Sequence, residues 1–303
     1  MRQRLWRAVG VTALVLAACF IALLGLILLG GGGDLFAGRN QVALVEVEGI
    51  IVDAGSVVQE IEEHAESASV RAIVIRVQSP GGVVAPTQEI FGAIRRARAK
   101  GKPVVASLGA VAASGGYYLA AATNHIVASP GSLTGSIGVI IQLAEIESLL
   151  RKVGVRYEVV KAGRFKDVGN IARPMSEEER QVLQALVDDM YDQFVTAVAQ
   201  SRGLDRATVL ALADGRVYSG RRAKVLRLVD SLGGLEEAVQ KAGELAGIPG
   251  KPKLVRPRRS FRLTDLLDWL STRSPLGSLF GPGGPVTTLP LLTTPKLPLY
   301  LME

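Results

Sequence analysis

Short apolar runs rich in β-branched residues alternate with helical patterns between residues 41 and 160, and this alternation limits the possible folds most strongly. The strand-like runs are 41–52, 70–77, 103–108, 125–128 and 157–160. Strands that alternate with helices are typical of parallel βαβ units, in which ligands bind at the strand ends. The sequence therefore predicts an α/β fold with its functional residues in the turns that follow the strands.

Capping and turn residues predict where the helices begin. Ser56 has the spacing of a capping box before an acidic helix, and Pro86 suits the first turn of a helix that ends near residue 99. Ser176 opens a long amphipathic helix that runs to about residue 201. Further helices are predicted at 117–122, 143–153, 206–213, 219–226 and 235–246.

An apolar run of 23 residues without charge, 8–30, stands near the N-terminus. At about 1.5 Å per residue, a helix of this length can cross a hydrocarbon core of roughly 30 Å. Arg2, Arg4 and Arg7 precede it and Asp34 follows it, which predicts a cytoplasmic N-terminus and places the rest of the chain outside the cytoplasm. A cleaved signal peptide, or a lipoprotein modified at Cys19, is the alternative. Because residues 20–29 stay apolar, an uncleaved single-pass anchor is favoured.

Three segments follow from composition: 1–33 as cytoplasmic tip and anchor, 34–250 as globular domain, and 251–303 as a basic, Pro/Leu-rich extension. The net charge of +7 comes from two clusters, three arginines before the anchor and six basic residues within 251–262. The globular part is therefore not basic, which argues against nucleic-acid binding. Cys19 is the only cysteine, so an internal disulfide and a cysteine-based metal site are excluded.

Ser114 lies at a turn between a strand-like run and a run of small apolar residues that predicts a buried helix. Its neighbours Ala113 and Gly115 would let a substrate backbone approach a serine hydroxyl exposed at such a turn. The pattern departs from Gly-x-Ser-x-Gly, because Ala112 occupies the first glycine position. A simple turn before a core helix would show the same residues, so this stretch alone leaves both interpretations open.

Four motifs in order give the chain a family resemblance: Ser79-Pro80-Gly81-Gly82, 113–118 (ASGGYY), 133–138 (LTGSIG) and 163–167 (GRFKD). Together with the anchor, they resemble signal peptide peptidase A, in the superfamily of the Clp protease subunit and the crotonases. The resemblance covers about residues 41–245, and the single copy of the core is similar to the short form of the family. It implies stacked βαβ units of the Clp/crotonase kind, no cofactor, and a homo-oligomeric ring. It also implies a membrane-anchored serine peptidase that degrades signal-peptide remnants and other apolar peptides.

The resemblance also implies roles for five residues. Ser114 is the nucleophile, Lys166 the general base, Gly82 and Gly115 the donors of the oxyanion hole, and Ser136 a residue that orients the lysine. The ring implies that Ser114 and Lys166 meet across or close to a subunit boundary. No metal is implied.

Residue chemistry agrees with a Ser-Lys pair. A serine hydroxyl needs an adjacent base, and the two histidines, His64 and His125, have no place in the matched motifs. A lysine can replace histidine when burial keeps it neutral. Asp167 beside Lys166 would favour the charged amine, so its carboxylate must turn aside. Lys161 is the rival base.

Other functions remain open at this point. A crotonase-like acyl-CoA enzyme would use similar oxyanion donors without Ser114 or Lys166, and a related membrane Ser-Lys protease would cut intact membrane proteins instead. A non-catalytic membrane scaffold would need neither residue. The tail 289–301 is apolar and extended by its prolines, like a peptide substrate. We expect it to lie on a neighbouring subunit or in the active-site groove.

Overall fold

The computed structural model of the protein describes residues 40–256, the backbone of Leu301 and Met302, and helical positions at 14, 16, 17, 20 and 21. Within these residues, none of the helices combines the length and the apolar character that crossing a bilayer requires. The predicted anchor at 8–30 lies outside them apart from those five positions, as does most of the extension after residue 256.

Eight strands form one mixed sheet, and two more form a small ribbon beside it. The sheet follows the order β7-β6-β4-β2-β1-β9, with β5 joining β4 to β8, and its pairs are parallel except β6 with β7. In the ribbon, β3 and β10 are antiparallel. The strands are β1 (Gln41–Glu48), β2 (Val70–Ser79), β3 (Gly82–Val83), β4 (Val104–Ala113), β5 (His125–Ala128), β6 (Leu133–Gly135), β7 (Val217–Ser219), β8 (Ser231–Leu232), β9 (Lys253–Val255) and β10 (Leu301–Met302).

Eight helices within residues 40–256 surround the sheet. They are α1 (Gly55–Glu66), α2 (Val84–Ala99), α3 (Gly115–Ala121), α4 (Glu147–Lys152), α5 (Glu177–Arg202), α6 (Arg206–Leu212), α7 (Gly220–Val225) and α8 (Leu235–Leu245). The prediction of a mixed α/β fold with alternating strands and helices is confirmed.

Both faces of the sheet are covered, which explains why its central strands are apolar along nearly their whole length. In β1, Ala43 and Val45 pack into a large core shared with helices α1, α2, α3 and α5. The alternate residues Val42 and Leu44 pack into a smaller core on the opposite face, where α8 supplies Ala238 and Ala242. Alternation within an all-buried strand therefore selects which core each side chain joins.

Strand β4 changes partners along its length, and this split positions the candidate site. Its first half, from Val105 to Leu108, pairs with β5, and its last three residues pair with β6. The register with β2 shifts between Val77 and Ser79. The carboxyl ends of β2, β4 and β6 consequently meet at one edge of the sheet, followed by the turns that carry the recognised motifs.

The long helix α5 begins as predicted. The Ser176 hydroxyl accepts from Glu179 N at 3.2 Å, while Glu179 Oε2 accepts from Ser176 N at 2.9 Å, which completes the capping box. Gly203 ends the helix in the left-handed conformation with φ 59°. Glu179 is thus explained by capping.

Two predictions in the segment after β6 are wrong. The helix expected over 143–153 is limited to α4, and residues 157–160, expected as a strand, have no regular structure. Tyr157 is 62% exposed, and this segment has no neighbouring strand to pair with among the described residues. Residues 133–135, where no strand was predicted, form β6, because they pair with the last part of β4.

Candidate active site

Ser114 occupies a strained turn between β4 and α3. Its backbone has φ 50° and ψ −119°, a region that non-glycine residues rarely adopt. Two bonds hold it there: Ser114 N donates to Gly135 O at 2.8 Å, and Ser114 O accepts from Tyr118 N at 2.8 Å. The residue is 0% exposed, and its Oγ has no hydrogen-bond partner within the described structure. A buried, unpaired hydroxyl costs about 1–3 kcal/mol, and such cost is typical of functional sites.

Gly115 and Gly82 lie against each other. A Cβ built on Gly115 would lie 3.2 Å from Gly82 N and 3.0 Å from Thr87 Oγ1. Both glycines are buried, so the structure brings together the two residues proposed as oxyanion donors. Gly115 begins α3 and Gly82 begins β3. Backbone N–H groups that converge in this way are suitable donors for a developing oxyanion.

Gly82 is required by the backbone of Ile51. Ile51 N donates to Gly81 O at 2.9 Å, and Val83 N donates to Ile51 O at 2.7 Å. A Cβ on Gly82 would lie 2.1 Å from Ile51 O, a distance that real Cβ atoms do not show. The close approach of these two backbones therefore permits only glycine at position 82.

Ser136 is the second strained serine, with φ 50°. It follows Gly135, whose carbonyl holds Ser114 N, and Ser136 N donates to Arg216 O at 2.9 Å. The residue is 9% exposed. The β4–β6 pairing thus places Ser136 directly after the residue whose carbonyl holds Ser114.

Lys166 lies in the loop between α4 and α5 and is exposed. Its N–H donates to Gly163 O at 3.3 Å. Among the described residues, its side chain forms no hydrogen bond and no ion pair, so a single chain does not join Lys166 to Ser114.

Asp167 turns away from Lys166, as the chemistry of a lysine base requires. Its carboxylate forms an ion pair with Lys161 and accepts from Arg173 Nε at 3.1 Å. The hydrogen bond from Lys161, with further contributions from Arg173, lowers the pKa of the Asp167 carboxyl. Lys161 is therefore held by a carboxylate, whereas the Lys166 amine has no such partner among the described residues.

Arg173 fixes the same loop to the start of α5. It donates to both carboxylate oxygens of Glu179, through Nη1 at 2.8 Å and through Nη2. This bond to Arg173 and the capping bonds lower the pKa of Glu179 to about 2. The pair was not predicted from the sequence. The short separation to a capping glutamate was the available signal.

Neither histidine is placed to serve Ser114. His125 Nε2 lies 2.9 Å from Ser231 Oγ, and burial lowers the pKa of His125. His64 lies on α1, with Nε2 3.7 Å from Glu60 Oε1. Within the described residues, no group of histidine, cysteine, aspartate and glutamate could hold a metal ion.

The comparison with known families agrees with the motifs. The profile described as "Peptidase family S49" matches residues 96–249, a range that contains Ser114, Ser136 and Lys166. A protein of Synechocystis sp. named "Putative protease slr0021" is 43% identical over 218 residues, which cover 71% of this chain and 78% of that protein. The chain belongs to peptidase family S49.

Two further relatives define its place in the family. A protein of Enterococcus faecium named "Putative signal peptide peptidase SppA" is 32% identical, over 79% of this chain and 80% of its own length. "Protease 4" of Salmonella typhi is 38% identical over 68% of this chain, but the match spans only 35% of that longer protein. The resemblance to signal peptide peptidase A is therefore confirmed, and this S49 chain is a serine peptidase.

Proposed function

We propose that this S49 peptidase is a membrane-anchored endopeptidase that cuts extended, apolar peptides, including cleaved signal peptides, through an acyl-enzyme on Ser114. The observation that carries this proposal is the strained, buried Ser114 beside the adjoining backbones of Gly82 and Gly115. The proposed domain is 34–250, with Clp/crotonase-like stacked units, and residues 8–30 anchor it on the extracytoplasmic side of the cell membrane. The segment 251–303 is a C-terminal extension, and no cofactor takes part.

In the proposed chemistry, Ser114 Oγ attacks the scissile carbonyl and Lys166 takes the hydroxyl proton. The N–H groups of Gly82 and Gly115 stabilise the negative charge on the carbonyl oxygen, and Lys166 returns its proton to the leaving amine. Water then hydrolyses the ester by the same route, with Lys166 as base. Ser136 orients the lysine amine.

The exposure of Lys166 supports a site shared between subunits. The loop that carries it and the preceding helix α4 expose a set of apolar side chains that a single chain would normally cover: Leu149, Val153, Val155, Tyr157, Val159, Val160 and Ile171. Exposed apolar surface of this kind is typical of protein interfaces. We therefore propose a homo-oligomer in which a second copy of this chain covers the segment and Lys166 of one subunit approaches Ser114 of the next.

The start of α5 adds to this surface. Phe194 and Val198 are fully buried in the core, whereas Leu183 and Val187 nearer the start of α5 are only partly buried. These two residues line an open cavity of about 630 Å³ together with Leu143 and Met175. The apolar side chains of α5 therefore belong to the core at one end of the helix and are available surface at the other.

Mixing two inactive variants tests both the dyad and the shared site. Ser114→Ala and Lys166→Ala should each abolish peptide hydrolysis by the full-length protein in detergent. Because a shared site takes one residue from each subunit, co-assembled variants should recover about a quarter of the wild-type activity under random mixing. Recovery with both single variants inactive supports the shared dyad, and its absence places the pair within one chain.

Lys161→Ala is the matched control, since Lys161 lies in the same loop and is bound to Asp167. It should retain most of the activity, and Lys166→Arg should not, because a guanidinium stays protonated. High turnover in Lys166→Ala with loss in Lys161→Ala would move the base to Lys161 and refute the assignment.

A further inference from the structure

A polar cavity lies at the edge of the sheet opposite to Ser114. It has a volume of about 430 Å³, and its lining residues are Arg95, Arg98, Ala99, Asn124, Gln200 and Ser201. Asn124 marks the edge, because its backbone N–H and its side-chain Oδ1 both bond to Val104, the first residue of β4. Ser114 follows the last of the ten residues of β4. At about 3.3 Å per residue, the cavity is therefore roughly 30 Å from the candidate active site.

Among the described residues that line this cavity, every polar side chain offers hydrogen-bond donors and none is a carboxylate. Asn124 Oδ1 accepts from Val104 N at 2.9 Å, so the amide NH2 group, which can only donate, remains for a ligand. Arg98 Nη1 donates to Ala122 O at 2.5 Å, but Arg98 Nε is buried without a hydrogen-bond partner in the described structure. A buried donor on a charged group is unfavourable unless it is paired. The donors of this cavity therefore suit a ligand that supplies several acceptor oxygens.

The two arginines of the cavity also lack a negative partner. Neither Arg95 nor Arg98 forms an ion pair within residues 40–256, whereas Arg96 on the same helix turn is bound to Glu62. Burial and, to a smaller extent, the charge of Arg95 lower the pKa of the Arg98 guanidinium, so the two cations are close enough to repel each other. An oxyanion with several oxygens would offset this repulsion and bond to both guanidinium groups at once.

The edge that carries the cavity is also the edge at which the chain enters the domain. Strands β1, β2, β4 and β5 run parallel and begin there, with Ala43 in register with Ile73 and Ile73 in register with Val104. Gln41, the first residue of β1, therefore lies about three strand spacings, or roughly 14 Å, from the cavity. Only ten residues separate Gln41 from the proposed anchor at 8–30, and ten residues span at most about 35 Å. The proposed anchor thus keeps this edge close to the lipid headgroups.

We propose that this cavity binds the phosphate group of an anionic phospholipid at the membrane surface. Arg95 and Arg98 bond to the phosphate oxygens, and the amide NH2 of Asn124 and the hydroxyl of Ser201 complete the donors. A phosphodiester with an uncharged headgroup such as glycerol fits this site, whereas choline would bring a quaternary ammonium close to two arginines. The inference goes beyond the proposed peptidase activity. It rests on the proposed anchor for the source of the phosphate, but not for the cavity or its charge.

Titration calorimetry of the full-length protein in non-ionic detergent with dihexanoyl-phosphatidylglycerol tests this site. A salt concentration of about 0.15 M screens general attraction between exposed charges. Arg95 is exposed and forms no hydrogen bond within residues 40–256, so Arg95→Gln should keep the fold. We expect its Kd for the lipid to rise at least about fivefold, because it loses a charge-assisted bond to phosphate. The matched control is Arg96→Gln, which removes the same charge from the same helix turn but from a side chain bound to Glu62, and it should keep the wild-type Kd.

Two further ligands identify the source of the phosphate. Dihexanoyl-phosphatidylcholine and inorganic phosphate should each bind the wild type at least about fivefold more weakly than the phosphatidylglycerol. Equal Kd values for the two lipids, or for Arg95→Gln and the wild type, would overturn the proposal. Tighter binding of inorganic phosphate than of either lipid would overturn the lipid and leave a site for free anions. Because binding needs no catalysis, the titration also applies to Ser114→Ala. Lipid binding by a chain whose wild type hydrolyses no peptide would sustain this inference and count only against the proposed function.

Discussion

Changing Gly82 to alanine is the sharpest test of the oxyanion assignment, because the structure fixes how far the backbone must move. The added Cβ would lie 2.1 Å from Ile51 O, 2.5 Å from Ile51 N and 2.6 Å from Ile51 C. All three atoms belong to the backbone, so no side-chain rotation relieves the overlap. Ordinary contact begins at 3.4 Å, so β3 and Ile51 must separate by more than about 1 Å, a displacement that can cost about 10²-fold in rate.

The expected loss is about 10²–10³-fold in kcat, since loss of a single oxyanion donor has this magnitude. The separation also weakens the two bonds that join Ile51 to Gly81 and Val83, at about 1 kcal/mol each. For a domain of this size, that lowers the melting temperature by roughly 4–8 °C. Steady-state hydrolysis of a peptide substrate and thermal unfolding by circular dichroism measure both effects.

Gly131→Ala is the control for this test. A Cβ on Gly131 would meet nothing within 4 Å, so its kcat and melting temperature should stay close to wild type. A Gly82→Ala protein that shows the expected drop in melting temperature but keeps kcat within about threefold of wild type would refute the argument, because a 1 Å shift of a working donor cannot be neutral.

Three further predictions follow from other parts of the molecule. Ser114→Gly and Ser114→Ala should be equally inactive. In chemical unfolding the glycine variant should be more stable by about 1 kcal/mol, because φ 50° strains any residue with a Cβ. A more stable alanine variant would contradict this. Glu179 has its pKa lowered to about 2, so its contribution to stability is present above pH 4.5 and is lost as the pH falls toward 2. The melting temperature should therefore fall more steeply between pH 5 and pH 2.5 for the wild type than for Glu179→Gln. Equal slopes of melting temperature against pH would refute the assigned ion pair. Protease added to intact spheroplasts should remove the domain that follows the anchor, and full protection until lysis would reverse the proposed orientation.

The parts of the fold that local sequence determines were predictable. The strands β1, β2 and β5 and the capped start of α5 agree with periodicity and capping residues, because burial and terminal hydrogen bonds act within a few residues. The strand expected at 157–160 is absent because a strand needs a neighbour, and the single chain offers none there. Conversely, β6 forms over three residues where no strand was predicted, since β4 supplies its partner.

In the candidate site, too, local sequence identified the motifs but not how they come together. Glycine in the Pro-Gly-Gly turn and a serine before small residues identified the motifs, but only tertiary structure brings Gly82 N to within 3.2 Å of the Cβ position of Gly115. The need for glycine at 82 comes from Ile51, more than 30 residues earlier, whose backbone leaves no local pattern. The bond between Arg173 and Glu179 depends on the path of an irregular loop, which propensities do not determine.

The two proposed catalytic residues are stabilised in different ways, and this difference explains how activity could depend on assembly. Ser114, the proposed nucleophile, is held by the sheet and α3 in a strained backbone within each folded chain. Lys166 is exposed on a loop that Asp167, Arg173 and Glu179 fix at its base. In water, an amine stays protonated and cannot act as a base, whereas burial favours its neutral form. If a neighbouring subunit covers the loop, the same contact that assembles the oligomer also desolvates Lys166 and brings it to a serine that is already strained. An unassembled chain would then fold without hydrolysing peptides, which the mixed-variant experiment measures directly.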